Sequence, residues 1–224
     1  MLKFLASLAL AVLLVPGAAL AAGEMKAAPI IFDSQHMLNT KNGDEIVYDF
    51  VRKVSDEKLL GMAYTDKITL KVADQKDGKK ALDLQIYSGE RARDLQKMTD
   101  MSINPMFIVT MQQAVASFKT QGGGDFSYLK NRFTKNLEEK AKVEAVKIDY
   151  KGETVDGYRI AFEPYKGDAN AGRMRGYDIS TFTFIISPKV PGELVEALSV
   201  IKSSTDGSPN FEERTTLAGF GGLK

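Results

Sequence analysis

An α+β chain, a curved antiparallel sheet or incomplete β-barrel interrupted by a helical hairpin, is what this sequence predicts. Three observations carry that prediction. Apolar residues recur every second position over residues 45–89 and again over 143–187. Between the two stretches the period lengthens to that of a helix, twice, with three glycines separating the runs. Short turn signals, Asp77-Gly78 and Lys151-Gly152, connect neighbouring strand patterns as hairpins do.

The chain opens with Lys3, an apolar run over residues 4–15, then Pro16 and Gly17, with Ala19 and Ala21 placed for a cut before Ala22. That is the pattern of a secretory signal peptide (1–21), too short for a span of about 20 residues. The localisation expected is therefore periplasmic, with no transmembrane segment in the mature chain. There is no cysteine, which excludes a disulfide framework, thiolate chemistry and a lipidated N-terminal Cys. A remainder of this size makes one domain and buries about 70% of its unfolded surface without cross-links. Without Lys3, basic and acidic residues are equal in number at 29, which argues against nucleic acid as a partner.

Residues 22–44 are small and polar around "PIIF" and the lone His36, and read as an N-terminal arm docked on a domain spanning 45–224. Ile46, Tyr48 and Phe50 share one strand face; Tyr64, Ile68, Leu70 and Val72 share another; Leu82, Leu84 and Ile86 a third. Wet opposite faces mark antiparallel pairing. The helical hairpin covers 104–142. Asn104-Pro105 starts its first helix, the glycines end it, and Asp125 caps a second, whose stripe is Phe126, Leu129, Phe133 and Leu137. Strands resume with "VEAVKIDY", "GYRIAFEPY" and "YDISTFTFIIS". "ELVEALSVIK" fits either period and is taken as a strand completing a hairpin with "FEERTTLAGF". A sheet of seven or more such strands must curl or close.

The triple glycine at 122–124 lacks the Lys-Ser/Thr of a phosphate loop. It reads as a joint first and an anion contact second, the latter because Lys130, Arg132 and Lys135 stand against the helix dipole. Met98, Met101, Met106 and Met111 suit core packing, an adaptable ligand-facing surface or Cu(I). The polar loop over residues 164–177 holds Asp168 and Asn170, but a calcium loop counted from Asp168 would need a carboxylate at Ile179; the loop reads as solvated. With no cysteine, one histidine and no Gly-x-Ser-x-Gly elbow, no catalytic residue is assigned and no enzyme is expected; no cofactor or metal is called for.

The strands at 45–89 and 143–187 with the helical pair at 104–142 resemble, as architecture, the periplasmic lipoprotein-carrier (LolA-like) superfamily and related envelope β-barrel proteins. Members hold acyl chains in an incomplete barrel closed by helices. The resemblance implies a carrier or sensor for a lipid or acylated ligand. In such a chain the apolar residues Phe107, Met111, Phe133, Phe182 and Phe184 would line the cavity between sheet and helices, and Lys130 and Arg132 would meet an anionic headgroup. The alternative is a cell-envelope structural or interaction protein whose barrel is packed and whose loops bind an envelope protein partner.

Overall fold

A computed structural model describes residues 25–224; the signal-peptide reading lies outside the described residues. Over these residues the protein forms one open antiparallel sheet of ten strands. In chain order these are β1 (Glu45–Val54), β2 (Tyr64–Asp74), β3 (Lys80–Ile86), β4 (Gln96–Met101), β5 (Lys142–Tyr150), β6 (Glu153–Phe162), β7 (Thr181–Ile186), β8 (Leu194–Ile201), β9 (Phe211–Leu217) and β10 (Phe220–Leu223). Their spatial order is β10-β5-β6-β7-β8-β9-β1-β2-β3-β4. The segment "ELVEALSVIK" is a strand, β8. A four-residue helix, α1 (Glu57–Leu60), sits between β1 and β2, and two long helices, α2 (Met106–Gly122) and α3 (Phe126–Lys140), pack on one face.

The sheet curls because its connections leave no alternative. Only two residues separate β9 from β10, yet five inter-strand steps lie between them. In a flat sheet that is about 24 Å, whereas three residue steps reach about 11 Å at most. The gap closes because Ala218 N–H bonds to Val47 O at 2.9 Å while Lys151 N–H bonds to Gly219 O at 2.8 Å. So β10 clasps the β5–β6 hairpin to the middle of the sheet at one end.

The turns follow the predicted chemistry. Asp77 and Gly78 both take positive φ (59° and 74°), as do Lys151 and Gly152 (53° and 85°), which suits the right-handed twist of a tight hairpin. Asn104 starts α2 and ties it to the sheet: its Oδ1 accepts from Met106 N–H at 3.0 Å, and its Nδ2 donates to Tyr48 Oη at 2.9 Å and to Gly192 O at 2.8 Å. The glycines are a joint. Gly123 (φ 73°) ends α2, its N–H bonding Lys119 O, and Asp125 fills the start of α3 with its own carboxylate, accepting from Tyr128 N–H at 2.9 Å. A negative charge already occupies that helix end.

Two segments differ from expectation. Tyr177 and Ile179 alternate like strand residues but lie in a 3-10 turn (Tyr177–Ile179), because Gly176 turns the chain at φ 77° and Tyr177 Oη donates to Pro209 O at 2.6 Å. The loop over 164–177 is solvated only in part, at Lys166, Gly167, Ala169, Gly172, Arg173 and Arg175. Tyr165, Met174 and Tyr177 are buried in it, and the Tyr165 ring packs 3.9 Å from that of Phe118 on α2.

In the arm, Ile31 is fully buried and His36 packs its ring 4.4 Å from that of Phe107. His36 Nε2 donates to Ile30 O at 2.8 Å. Burial pushes the imidazole below its ordinary 6.5, and the bond to Ile30 opposes this only in part. A released arm therefore binds a proton more readily than a docked one. Stability from this docking is present above about pH 6.5 and is lost as pH falls through the lowered folded value. Amide exchange in residues 29–39, corrected for intrinsic rates, should be faster at pH 5.5 than at 7.5, and His36→Gln should abolish that difference. Equal protection at both values in the unmodified chain would refute it.

Candidate functional site

The inner, helix-facing side of the sheet is apolar at its flanks and polar at its centre. Along β9 the inward residues are Phe211, Glu213, Thr215 and Leu217. Register places Arg52 of β1, Glu213 of β9 and Ser199 of β8 in one cross-strand row, with Phe50, Thr215 and Ala197 in the next. Ala197, Ser199 and Thr215 in these rows are short, so α2 crosses above them without filling the space.

What remains is a cavity of about 320 Å³ between the sheet and α2. Phe50, Ile68, Ile86, Val109 and Phe182 form its apolar walls, and Ser199, Glu213 and Thr215 its floor. Arg93, Gln96, Gln112 and Ala116 stand exposed around its mouth. Glu213 is held on both oxygens: Arg52 Nη1 donates to Oε1 and Ser117 Oγ to Oε2 at 2.8 Å, with Gln113 Nε2 3.4 Å from Oε1. The Arg52 guanidinium also lies 4.4 Å over the Phe211 ring. Burial above all pushes the Tyr87 phenol, on the cavity wall, far above its ordinary value, so it stays a neutral hydroxyl.

The seven residues singled out from sequence divide into three groups. Phe107, Phe184, Phe182 and Phe133 form one chain of edge-on rings, with centroid distances of 5.4, 4.7 and 5.1 Å in that order. Phe107 and Phe184 are fully buried in this cluster, and of the four only Phe182 also reaches the cavity wall. Met111, Phe133 and Lys130 meet instead at a second recess of about 210 Å³ between α2, α3 and the arm, completed by Phe32, Ile108 and Val115. Arg132 faces neither space. It pairs with Asp168 at 2.5 Å, and Asp168 also accepts from Tyr128 Oη and Asn170 N–H, both at 2.7 Å. Burial pushes the Asp168 carboxyl up, but Asn170, Tyr128 and Arg132 outweigh it and hold the group below the usual carboxylate range.

Sequence reasoning passed over Ser199, Glu213 and Thr215. The signal was present: in "FEERTTL" a carboxylate and a hydroxyl share a strand face with Phe211 and Leu217. A charge inside an apolar alternation is one of the polar intrusions that mark a site more often than a surface.

No protein-family model matches the chain, and no curated protein sequence matches it. Similar solved structures include the Mycobacterium tuberculosis lipoprotein LppX, at 12% identity and TM-score 0.31, covering 83% of this chain and 91% of that one. The MucA/MucB complex of Pseudomonas aeruginosa is similar at 12% identity and TM-score 0.33, covering 88% of this chain and 56% of that one, so this chain spans little more than half of it. A Vibrio parahaemolyticus domain, provisionally described as an outer membrane lipoprotein-sorting protein, follows at 13% identity and TM-score 0.22, covering 84% and 87%. Overlap this loose transfers no residue and no ligand.

Proposed function

We propose that the chain is an exported, non-enzymatic carrier or sensor, working in the periplasm, that holds an amphipathic, lipid-like ligand between its curved sheet and its helical pair. The observation that supports this most is the cavity of about 320 Å³ under α2, which falls within the roughly 300–1,000 Å³ of small-molecule sites. Its walls come from both layers, so a bound chain would touch sheet and helix at once. The recess of Met111, Phe133 and Lys130 is smaller and serves this reading as a secondary apolar contact. The packed aromatic cluster around Phe107 and Phe184 favours the second reading, an envelope interaction protein with a filled interior.

Native followed by denaturing mass spectrometry of protein purified from the periplasm separates the two. A discrete mass that leaves on denaturation and extracts as lipid is expected. Ala116→Trp places a large ring at the exposed mouth and should reduce that bound fraction at least tenfold while leaving Tm within a few degrees. A bare mass, with no lipid taken up on later incubation, would discard the carrier and turn the search to protein partners.

A further inference from the structure

We infer that the cavity floor is a polar subsite for a compact, uncharged polyol head, so that a single-chain neutral amphiphile enters head first and leaves its tail along the apolar walls. This rests on the carrier reading above. Ser199 and Thr215 are each 4% exposed and both line the cavity. Among the described residues neither hydroxyl has a hydrogen-bond partner in the protein, and neither is among the side-chain atoms sealed away from space. Each hydroxyl offers one donor and two acceptor positions. A hydrocarbon tail laid on that floor would strip water from both and return nothing, the costly way to bury a polar group. A polyol would satisfy both.

The head is uncharged because the floor leaves no charge unmatched. Glu213 is matched by Arg52 and further held by Ser117, so no unpaired charge on the floor faces an incoming carboxylate or amine. Arg93 is the one cation among the residues lining the cavity, and it lies at the exposed mouth over the Tyr87 ring rather than on the floor. Polarity also runs in the direction of entry. Ser199 and Thr215 lie on β8 and β9, Phe50, Ile68 and Ile86 follow on β1, β2 and β3, and the exposed Arg93 and Gln96 come beyond β3. At about 320 Å³ the space suits one short chain, near the lower bound for ligand sites.

The test titrates the delipidated full chain with 1-monodecanoylglycerol, decanoate and decyl glucoside, each read by displacement of the apolar dye N-phenyl-1-naphthylamine. Monodecanoylglycerol should bind at least tenfold tighter than decanoate, whose charge the floor does not match. Ser199→Ala and Thr215→Val should each weaken monodecanoylglycerol about tenfold while keeping or tightening apolar dye binding, the loss of roughly one hydrogen bond apiece. Decyl glucoside distinguishes the source of the polyol: preference for it over monodecanoylglycerol keeps the subsite and assigns it to a sugar head. Dye uptake with decanoate bound as tightly as the polyols, or with both folded variants unchanged, would overturn the subsite and leave the carrier standing. No uptake of dye or amphiphile by the unmodified chain would overturn the carrier reading itself.

Discussion

Arg132→Met should lower the unfolding free energy by about 3 kcal/mol at pH 7. Asp168 has a fully buried side chain, and removing its cation leaves a carboxylate paired only with neutral donors. Breaking a buried pair costs about 3–5 kcal/mol; the low end applies because Arg132 keeps 24% of its side chain exposed. The pH dependence carries the sign. In the unmodified protein the Asp168 carboxyl titrates below its ordinary value, so its contribution is present above about pH 4 and is lost as pH falls through the folded value. In Arg132→Met the carboxyl loses two of the causes that lower it and titrates higher than in the parent, and protonation relieves it. The deficit should therefore shrink from pH 7 to pH 5. Urea unfolding at both values checks this. A variant as stable as its parent at pH 7, but impaired in binding, would return Arg132 to a headgroup role and remove it from the fold.

Phe184→Ala should cost about 4 kcal/mol. The ring is fully buried and lies edge-on between Phe107 and Phe182, 5.4 and 4.7 Å away. Deleting such a ring removes its transfer free energy and leaves a cavity the surrounding strands can only partly fill, which costs roughly 3–5 kcal/mol. The edge contacts add about 0.5–1.5 kcal/mol that the alanine also forfeits. Lys130→Ala, at an exposed position on α3, should stay within about 0.5 kcal/mol. Denaturant melts of both variants give the comparison. A loss under 2 kcal/mol at Phe184 would mean that the ring borders space able to collapse, as the wall of a hollow barrel would.

The strands were legible where one face is wet. Ile68, Leu70 and Val72 against Thr69 and Lys71 leave one face for the core, and β2 follows. β4 was not legible: "QKMTDM" lies at the sheet edge, exposed on most positions and interrupted by a bulge opposite β3, so its only strand signal is its partner. β10, "FGGL", is likewise a strand by pairing alone. At the site, alternation identified Phe182 and Phe184 as sharing a face, but packing decides which of two buried rings borders empty space. The empty space arises where Ala197 and Ser199 of β8 and Thr215 of β9 are short, and only the fold brings β1, β2, β3 and α2 around that pair of strands. Arg132 looked free on its own helix because its partner lies in a loop 36 residues later.

The order of strands has a consequence for how the chain reaches this state. β1 to β4 form one run of neighbours, and β5 to β9 another, each assembled from hairpins close in sequence. The two runs meet along a single seam, β1 against β9, joining Tyr48 to Leu217 and Val54 to Phe211. Local hairpins form quickly, while a pairing of such long range must wait for loop closure and is slow. Until the seam zips, β1 and β9 are both open edges, able to template further strands. Two copies caught in that interval can zip crosswise, the first run of one onto the second run of the other, giving an exchanged dimer that satisfies every strand pair of the monomer. Dilution during refolding, rather than any change of sequence, decides which product forms.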